Sequence, residues 1–163
     1  MDERSATAAQ AAPKAETHSG PAMDFQDHLK RLDEKGLLVR VDRAIDKDTE
    51  LHPLARWQFQ GGLAEDKRRA FLFTNVVDSR GRRYDMPVAV GALAASPEIY
   101  AVGMGVPVKE IGDVWLRGMA HPIPPVTAVS AACQEVVITG EALKQPGGGL
   151  AALPVPVSTP GFD

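Results

Sequence analysis

The sequence predicts an α+β domain followed by the opening of an all-β one. Three observations carry that expectation. Between residues 23 and 120, stretches with helical spacing of apolar residues alternate with short branched apolar runs. The prolines of His121-Pro-Ile-Pro-Pro125 then forbid a helix from continuing. Past them, residues 126–130 and 135–139 read as short strands separated by turns, with a loose Gly147-Gly148-Gly149 loop behind. A domain boundary is expected near 120–125.

Taken in order, residues 1–22 mix Ala, Ser, Thr, Gln, Pro and scattered charges with almost nothing to bury, and read as a disordered extension. Asp24 then offers a helix cap, with Phe25, Leu29 and Leu32 at helical spacing before Gly36 ends the run. Residues 37–41 form a strand entered directly from that helix. After a polar turn at 46–49, Pro53 suits the first turn of a helix carrying Leu54, Trp57 and Phe59 inward until Gly61-Gly62 stops it. Residues 70–77 and 87–93 read as a strand pair of unspecified sense, joined by the Asp-Ser-Arg-Gly turn chemistry of 78–85. Ser96-Pro97 caps a helix from Glu98 to about Val102, ending near Gly103. Another helix spans 109–119, with Ile111, Val114 or Trp115, and Met119 inward. No internal repeat appears at a fixed period.

The whole chain narrows the function classes. Its 163 residues suit one domain, or one small domain and the beginning of a second. A formal charge of -3 and a pI near 5.8 give no global attraction for nucleic acid or an anionic bilayer. The local basic clusters, Lys67-Arg68-Arg69 and Arg80 with Arg82-Arg83, lack interleaved aromatics and read as solvated surface rather than a nucleic-acid site. One cysteine allows no internal disulfide, and no secretory or mitochondrial leader is visible, so a cytoplasmic protein is expected. The most apolar stretch, 86–108, is interrupted by Pro87, Pro97, Glu98 and Pro107, which argues against a membrane span.

The side chains that could carry chemistry do not assemble on paper. Cys133 leading into an apolar run reads as a small buried hydrophobe more readily than a nucleophile paired with His121. Glu135 beside a strand reads as solvated rather than as a general acid. His18, His28, His52 and His121 show none of the short paired spacings of a zinc site. Gly103-Met-Gly105 lacks the third glycine and the preceding strand of a dinucleotide loop, and Gly147-Gly148-Gly149 lacks the lysine of a phosphate loop.

Several segments, in order, nevertheless carry a resemblance. Asp24-Phe-Gln-Asp-His-Leu-Lys-Arg-Leu32 with Gly36-Leu-Leu-Val-Arg-Val41, Tyr84-Asp-Met-Pro-Val88, His121-Pro-Ile-Pro-Pro-Val126 and Cys133-Gln-Glu-Val-Val-Ile-Thr-Gly140 resemble the amino-terminal part of the UbiD family. These enzymes decarboxylate aromatic and α,β-unsaturated acids, in some cases reversibly. The resemblance covers roughly residues 23–163. It implies an α/β amino-terminal domain at 23–120, and at 121–163 the first strands of a split β-barrel-like domain that binds prenylated FMN. It also implies manganese and potassium beside the flavin, a small aromatic or unsaturated carboxylic acid as substrate, and a homo-oligomeric complete enzyme. The modified flavin acts as the electron sink, and the protein supplies orientation and proton transfer.

The family's catalytic Glu-Arg-Glu set and its Asn, His and Glu metal ligands have no matching positions here. No catalytic, cofactor-binding or metal-binding residue is therefore carried over, and the 163-residue stretch is expected to be inactive alone. Trp115, Arg117 and His121 are expected to pack the first domain against the cofactor domain. The turn-forming Ser158-Thr-Pro-Gly-Phe-Asp163 reads as leading into another strand, so the chain is expected to be a piece of a longer enzyme. A non-catalytic accessory or interaction subunit of a multisubunit carboxylase is the alternative.

Overall fold

In the computed structural model, described over residues 24–127, 129–130 and 134–158, the chain folds as an α+β unit with helices packed around two small three-stranded mixed sheets that follow one another along the chain. The expectations for residues 1–22 and for Cys133 lie outside the described residues. Helix α1, Phe25–Glu34, starts where Asp24 accepts a hydrogen bond from the Asp27 N–H at 2.8 Å. Its end is a reversal at Gly36, whose φ of +66° a side chain would resist. The chain passes from there into strand β1, Leu38–Val41, and a short β2, Ile45–Asp46.

Helix α2, Leu51–Gln60, carries the chain back so that β3, Ala70–Phe73, pairs parallel with β1. Strand β4, Val76–Val77, pairs parallel with β2. A tight turn then reverses direction into β5, Arg83–Tyr84, and β6, Val88–Val90, which run antiparallel to β4 and β3 respectively. The expected strand at 70–77 is thus two strands, and the pair it makes with 87–93 is antiparallel. The polar connection of 78–85 contributes a strand of its own.

The break in the strands has a definite arithmetic. Leu38 pairs with Ala70 and Val41 with Phe73, but Ile45 pairs with Val76. Residues 42–44 therefore stand against only Thr74 and Asn75. The other side repeats the step: Phe73 pairs with Val88 and Val76 with Tyr84, setting 85–87 against the same two residues. Thr74 donates its hydroxyl to Asp42 Oδ1 at 2.6 Å, and Asn75 Nδ2 donates to the Asp42 carbonyl at 3.3 Å, closing the step with side chains.

Period-two alternation along β3 divides the core. Ala70 and Leu72 face Leu29 and Leu32 of α1 and Ile99, with Leu38, Ala92 and Ala95 beside them. Phe71 and Phe73 face the other way and stack on each other at 5.8 Å; Phe73 joins Ile45, Leu51, Val76 and Tyr84 in the second cluster. Helix α3, Pro97–Met104, begins as expected, with Ser96 accepting from the Ile99 N–H, but runs on to a left-handed cap at Gly105. Gly103 lies inside it, next to the imidazole of His28. His28 is buried and hydrogen-bonded through Nε2 to the Ala92 carbonyl at 2.6 Å.

Two expected inward faces are corrected. On α2 the buried stripe is Leu51, Ala55 and Gln58, while Trp57 is 71% exposed and Phe59 also lies outside. Gln58 takes the inward place because its amide works as a piece of strand: Nε2 donates to the Arg69 carbonyl at 3.0 Å and Oε1 accepts the Arg69 N–H at 2.9 Å. On the last helix, α4, Ile111–Ala120, only Ile111 and Val114 are half-buried, and Trp115, Leu116 and Met119 are exposed. Trp115 is 52% exposed, its Nε1–H donating to the Tyr100 hydroxyl at 2.7 Å.

The prolines after His121 end α4 as expected. Residues 135–139 form no ladder, since no described strand lies beside them; 3₁₀ turns at Gly140–Lys144 and Leu150–Ala152 follow. Ile123, Val126, Val136 and Val137 are accordingly exposed.

Leu32→Ala, which empties a fully buried site, should lower the unfolding free energy by about 2–5 kcal/mol in urea titration, against less than about 1 kcal/mol for Phe25→Ala. Gln58→Leu should cost about 2 kcal/mol or more in the same titration, because it strands both backbone groups of Arg69 at the entry to β3.

Candidate functional site

The densest polar constellation lies at the end of the sheet where β2, β4 and β5 meet. It lines a groove of about 740 Å³ that includes Lys47, Asp48, Asp78, Arg80, Arg82 and Tyr84, with Leu150, Ala151, Leu153 and Val155 along the opposite side. Strand geometry places the parts. Lys47 and Asp48 follow β2 directly, Asp78 follows β4, and Tyr84 in β5 points its ring into the second core cluster. The Asp78-Ser-Arg-Gly81 turn folds over this end, with Gly81 at a φ of +82°.

Every backbone N–H of that turn is taken by the site's own oxygens. Asp48 Oδ2 accepts from the Ser79 N–H at 3.1 Å, and Asp78 Oδ1 accepts from the N–H groups of Arg80 and Arg82 at 3.0 and 2.9 Å. The Gly81 N–H goes to the Asp78 carbonyl at 2.9 Å. Ser79 donates its hydroxyl to Asp46 Oδ2 at 2.8 Å, and Asp46 Oδ1 accepts from the Asp48 N–H. Tyr84 donates its hydroxyl to Asp78 Oδ2 at 3.2 Å, Arg82 lies 4.7 Å over the Tyr84 ring, and Lys47 pairs with Asp48.

This arrangement does not fit a flavin phosphate. Turn N–H groups can bind an anion when free, but here those of Ser79, Arg80 and Arg82 are taken by the carboxylates of Asp48 and Asp78. The carboxyls register the donors. The hydrogen bond from Lys47, then that from the Ser79 N–H, holds Asp48 below its ordinary range. Asp78 is lowered chiefly by the Arg82 N–H and also by Arg80 and Tyr84. Nearby, Glu50 is lowered by the Asp46 N–H and by Arg43. The chemistry available is charge-assisted organisation of a turn and of whatever lies across the groove.

The residues weighed from sequence are scattered. His28 is a core residue, His52 is half-buried on α2, and His121 is exposed beyond α4. Glu135 is exposed, and the Gly147-Gly148-Gly149 loop turns back on residues 142 and 143. Among the described residues no group of three or more His, Cys, Asp or Glu is placed to hold a metal. Lys67 and Arg68 pair with Asp66 and Glu65, and Arg69 donates to the Asp66 and Arg68 carbonyls, so the first basic cluster is spent locally. The 78–85 turn is legible in the sequence, but its partners Asp46 and Asp48, some thirty positions earlier, are not. No local pattern announces that pairing. Among the described residues no helix is long and apolar enough to cross a membrane.

The family model described as the 3-octaprenyl-4-hydroxybenzoate carboxy-lyase N-terminal domain matches residues 29–119, more than half of the chain. The chain belongs to the UbiD family, within its amino-terminal domain. Among solved structures it is similar to an evolved dimeric form of the UbiD-class enzyme HmfF from Pelotomaculum thermopropionicum in complex with prFMN. The identity is 27% and the TM-score 0.50, over 63% of this chain and 21% of that one. The HmfF structure in complex with FMN gives 29% identity and a TM-score of 0.46, over 61% and 19%. The chain thus spans about a fifth of the length of these relatives.

A carboxyl held below its unfolded pKa stabilises the fold above that unfolded value, about 4 for aspartate, and the contribution is lost as pH falls through the folded value. The melting temperature should therefore decline below about pH 4, and Asp78→Asn should lower it near neutrality but flatten that acid limb. Thermal melts of both proteins across pH 3–7 check this; parallel curves would remove Asp78 from the explanation.

Proposed function

We propose that this chain is the amino-terminal portion of a UbiD-like carboxy-lyase that reversibly decarboxylates a small aromatic or α,β-unsaturated carboxylic acid with prenylated FMN. The observation that carries the reading is the family match over residues 29–119, supported by the likeness to an HmfF structure holding prFMN. In this reading residues 23–120 form the amino-terminal domain, and residues 121–163 open the flavin domain. Manganese and potassium accompany the flavin in the complete, oligomeric enzyme. The bound flavin supplies an electron sink for carboxylate loss. The residues of this chain supply scaffold: a rigid sheet end at Tyr84 and Arg82, and an apolar α4 surface including Trp115 and Met119 for packing against the flavin domain.

Coexpressed with a flavin prenyltransferase, the 163-residue chain should purify without stoichiometric flavin absorbance and release no carbon dioxide from benzoate-, cinnamate- or heteroaromatic-type acids. Tight flavin binding or turnover by the chain alone would overturn its assignment as scaffold. A chimera with residues 24–158 in place of the matching segment of an HmfF-type enzyme should load flavin and decarboxylate. A folded, flavin-loaded chimera inactive on all three acid types would count against the decarboxylase reading and favour an accessory subunit.

A further inference from the structure

The groove at the sheet end is crossed by a segment of the chain itself. Arg82 Nη1 donates to the Ala151 carbonyl at 2.8 Å, and the Val157 N–H donates to the Lys47 carbonyl at 3.1 Å. Between these two points lies Leu153-Pro-Val-Pro-Val157, with Pro154 buried and Leu153 and Val155 lining the groove. We infer that residues 150–157 are a strap, with Arg82 as its latch, that fixes the path of the chain leaving the amino-terminal domain.

Both sides of the contact are organised for it. The 3₁₀ turn at Leu150–Ala152 uses the Gly149 and Leu150 carbonyls to accept from Ala152 and Leu153. The next carbonyl in that series belongs to Ala151, and its turn partner would be the N–H of residue 154. Residue 154 is a proline and has none, so the Ala151 oxygen is left for a donor from outside the turn. Pro154 and Pro156 also restrict the free segment, which lowers the entropy lost on seating it.

On the domain side, Asp78 accepts from the Arg82 N–H and from the Tyr84 hydroxyl with its two oxygens, so one carboxylate fixes both the backbone of the latch and the ring beneath its guanidinium. The strap rests on the reading of residues 121–163 as the entry to the flavin domain for its functional meaning: Arg82 is then a positioning residue that sets where that domain begins relative to the sheet.

Hydrogen exchange of the 163-residue chain, followed by mass spectrometry of its peptides, tests the strap without calling on activity. In the unsubstituted protein, peptides covering 150–158 should exchange more slowly than the same peptides free in solution. In R82Q their exchange should rise roughly tenfold, the scale set by loss of a hydrogen bond from a charged donor, while peptides covering 70–77 stay protected. Pro154→Ala returns an N–H that competes for the Ala151 carbonyl, and should loosen the same peptides without touching the sheet. Free-peptide exchange of 150–158 in the unsubstituted protein, or unchanged exchange there in both variants, would overturn the strap. A decarboxylation assay that fails would leave these exchange rates unaffected, so the two readings fail separately.

Discussion

The rest of this fold depends on the step at Thr74-Asn75, where two residues of the middle strand answer three on each neighbour. A side chain changes face at every residue along a strand, so a strand one residue short reverses which positions look at the core. Val41 and Ile45, four apart, share a face, as do Val88 and Tyr84; in the middle strand Phe73 and Val76, only three apart, share it. Without the step, Asn75 rather than Val76 would face the second core cluster. Asp42 accepts the Thr74 hydroxyl on its carboxylate and the Asn75 side-chain amide on its carbonyl, so side chains close the gap where the ladder is interrupted.

The same step separates two three-stranded sheets that serve different purposes. Above it, β1, β3 and β6 sit between α1 and α3 on one face and α2 on the other, an arrangement that exists to bury surface. Below it, β2, β4 and β5 are only two residues long, and their ends deliver Asp46, Asp48 and Asp78 to a common turn. The short strands hold Tyr84 in the core by its ring and present its hydroxyl at the surface, so the polar network is anchored to packed side chains rather than to loops.

What the sequence made legible follows the range of the forces involved. Asp24, Gly36, Ser96 and Pro97 act within a turn of their own positions, and the elements they start or stop lie where expected. The inward faces of α2 and α4 depend on what packs against them, and there the reading erred: Gln58 displaced Trp57 because a strand entry needed a donor and an acceptor. The residues 135–139 have the composition of a strand, but a strand is a pairing and not a property of one segment. The polar network was hidden for a related reason, since Asp46 and Ser79 meet only through the parallel crossover that α2 makes.

The placement of the two tryptophans, Trp57 on α2 and Trp115 on α4, reaches into how the molecule can be watched. Both indoles stand largely in water in the folded chain, one beside Gly61, the other tethered to Tyr100. Being more than half exposed, they have less apolar contact to lose when the core comes apart than buried Phe73 and Tyr84 or Phe71 stacked on Phe73. Indole emission thus reports first on the periphery of this protein, on what docks on its helices, and less on the state of its sheets.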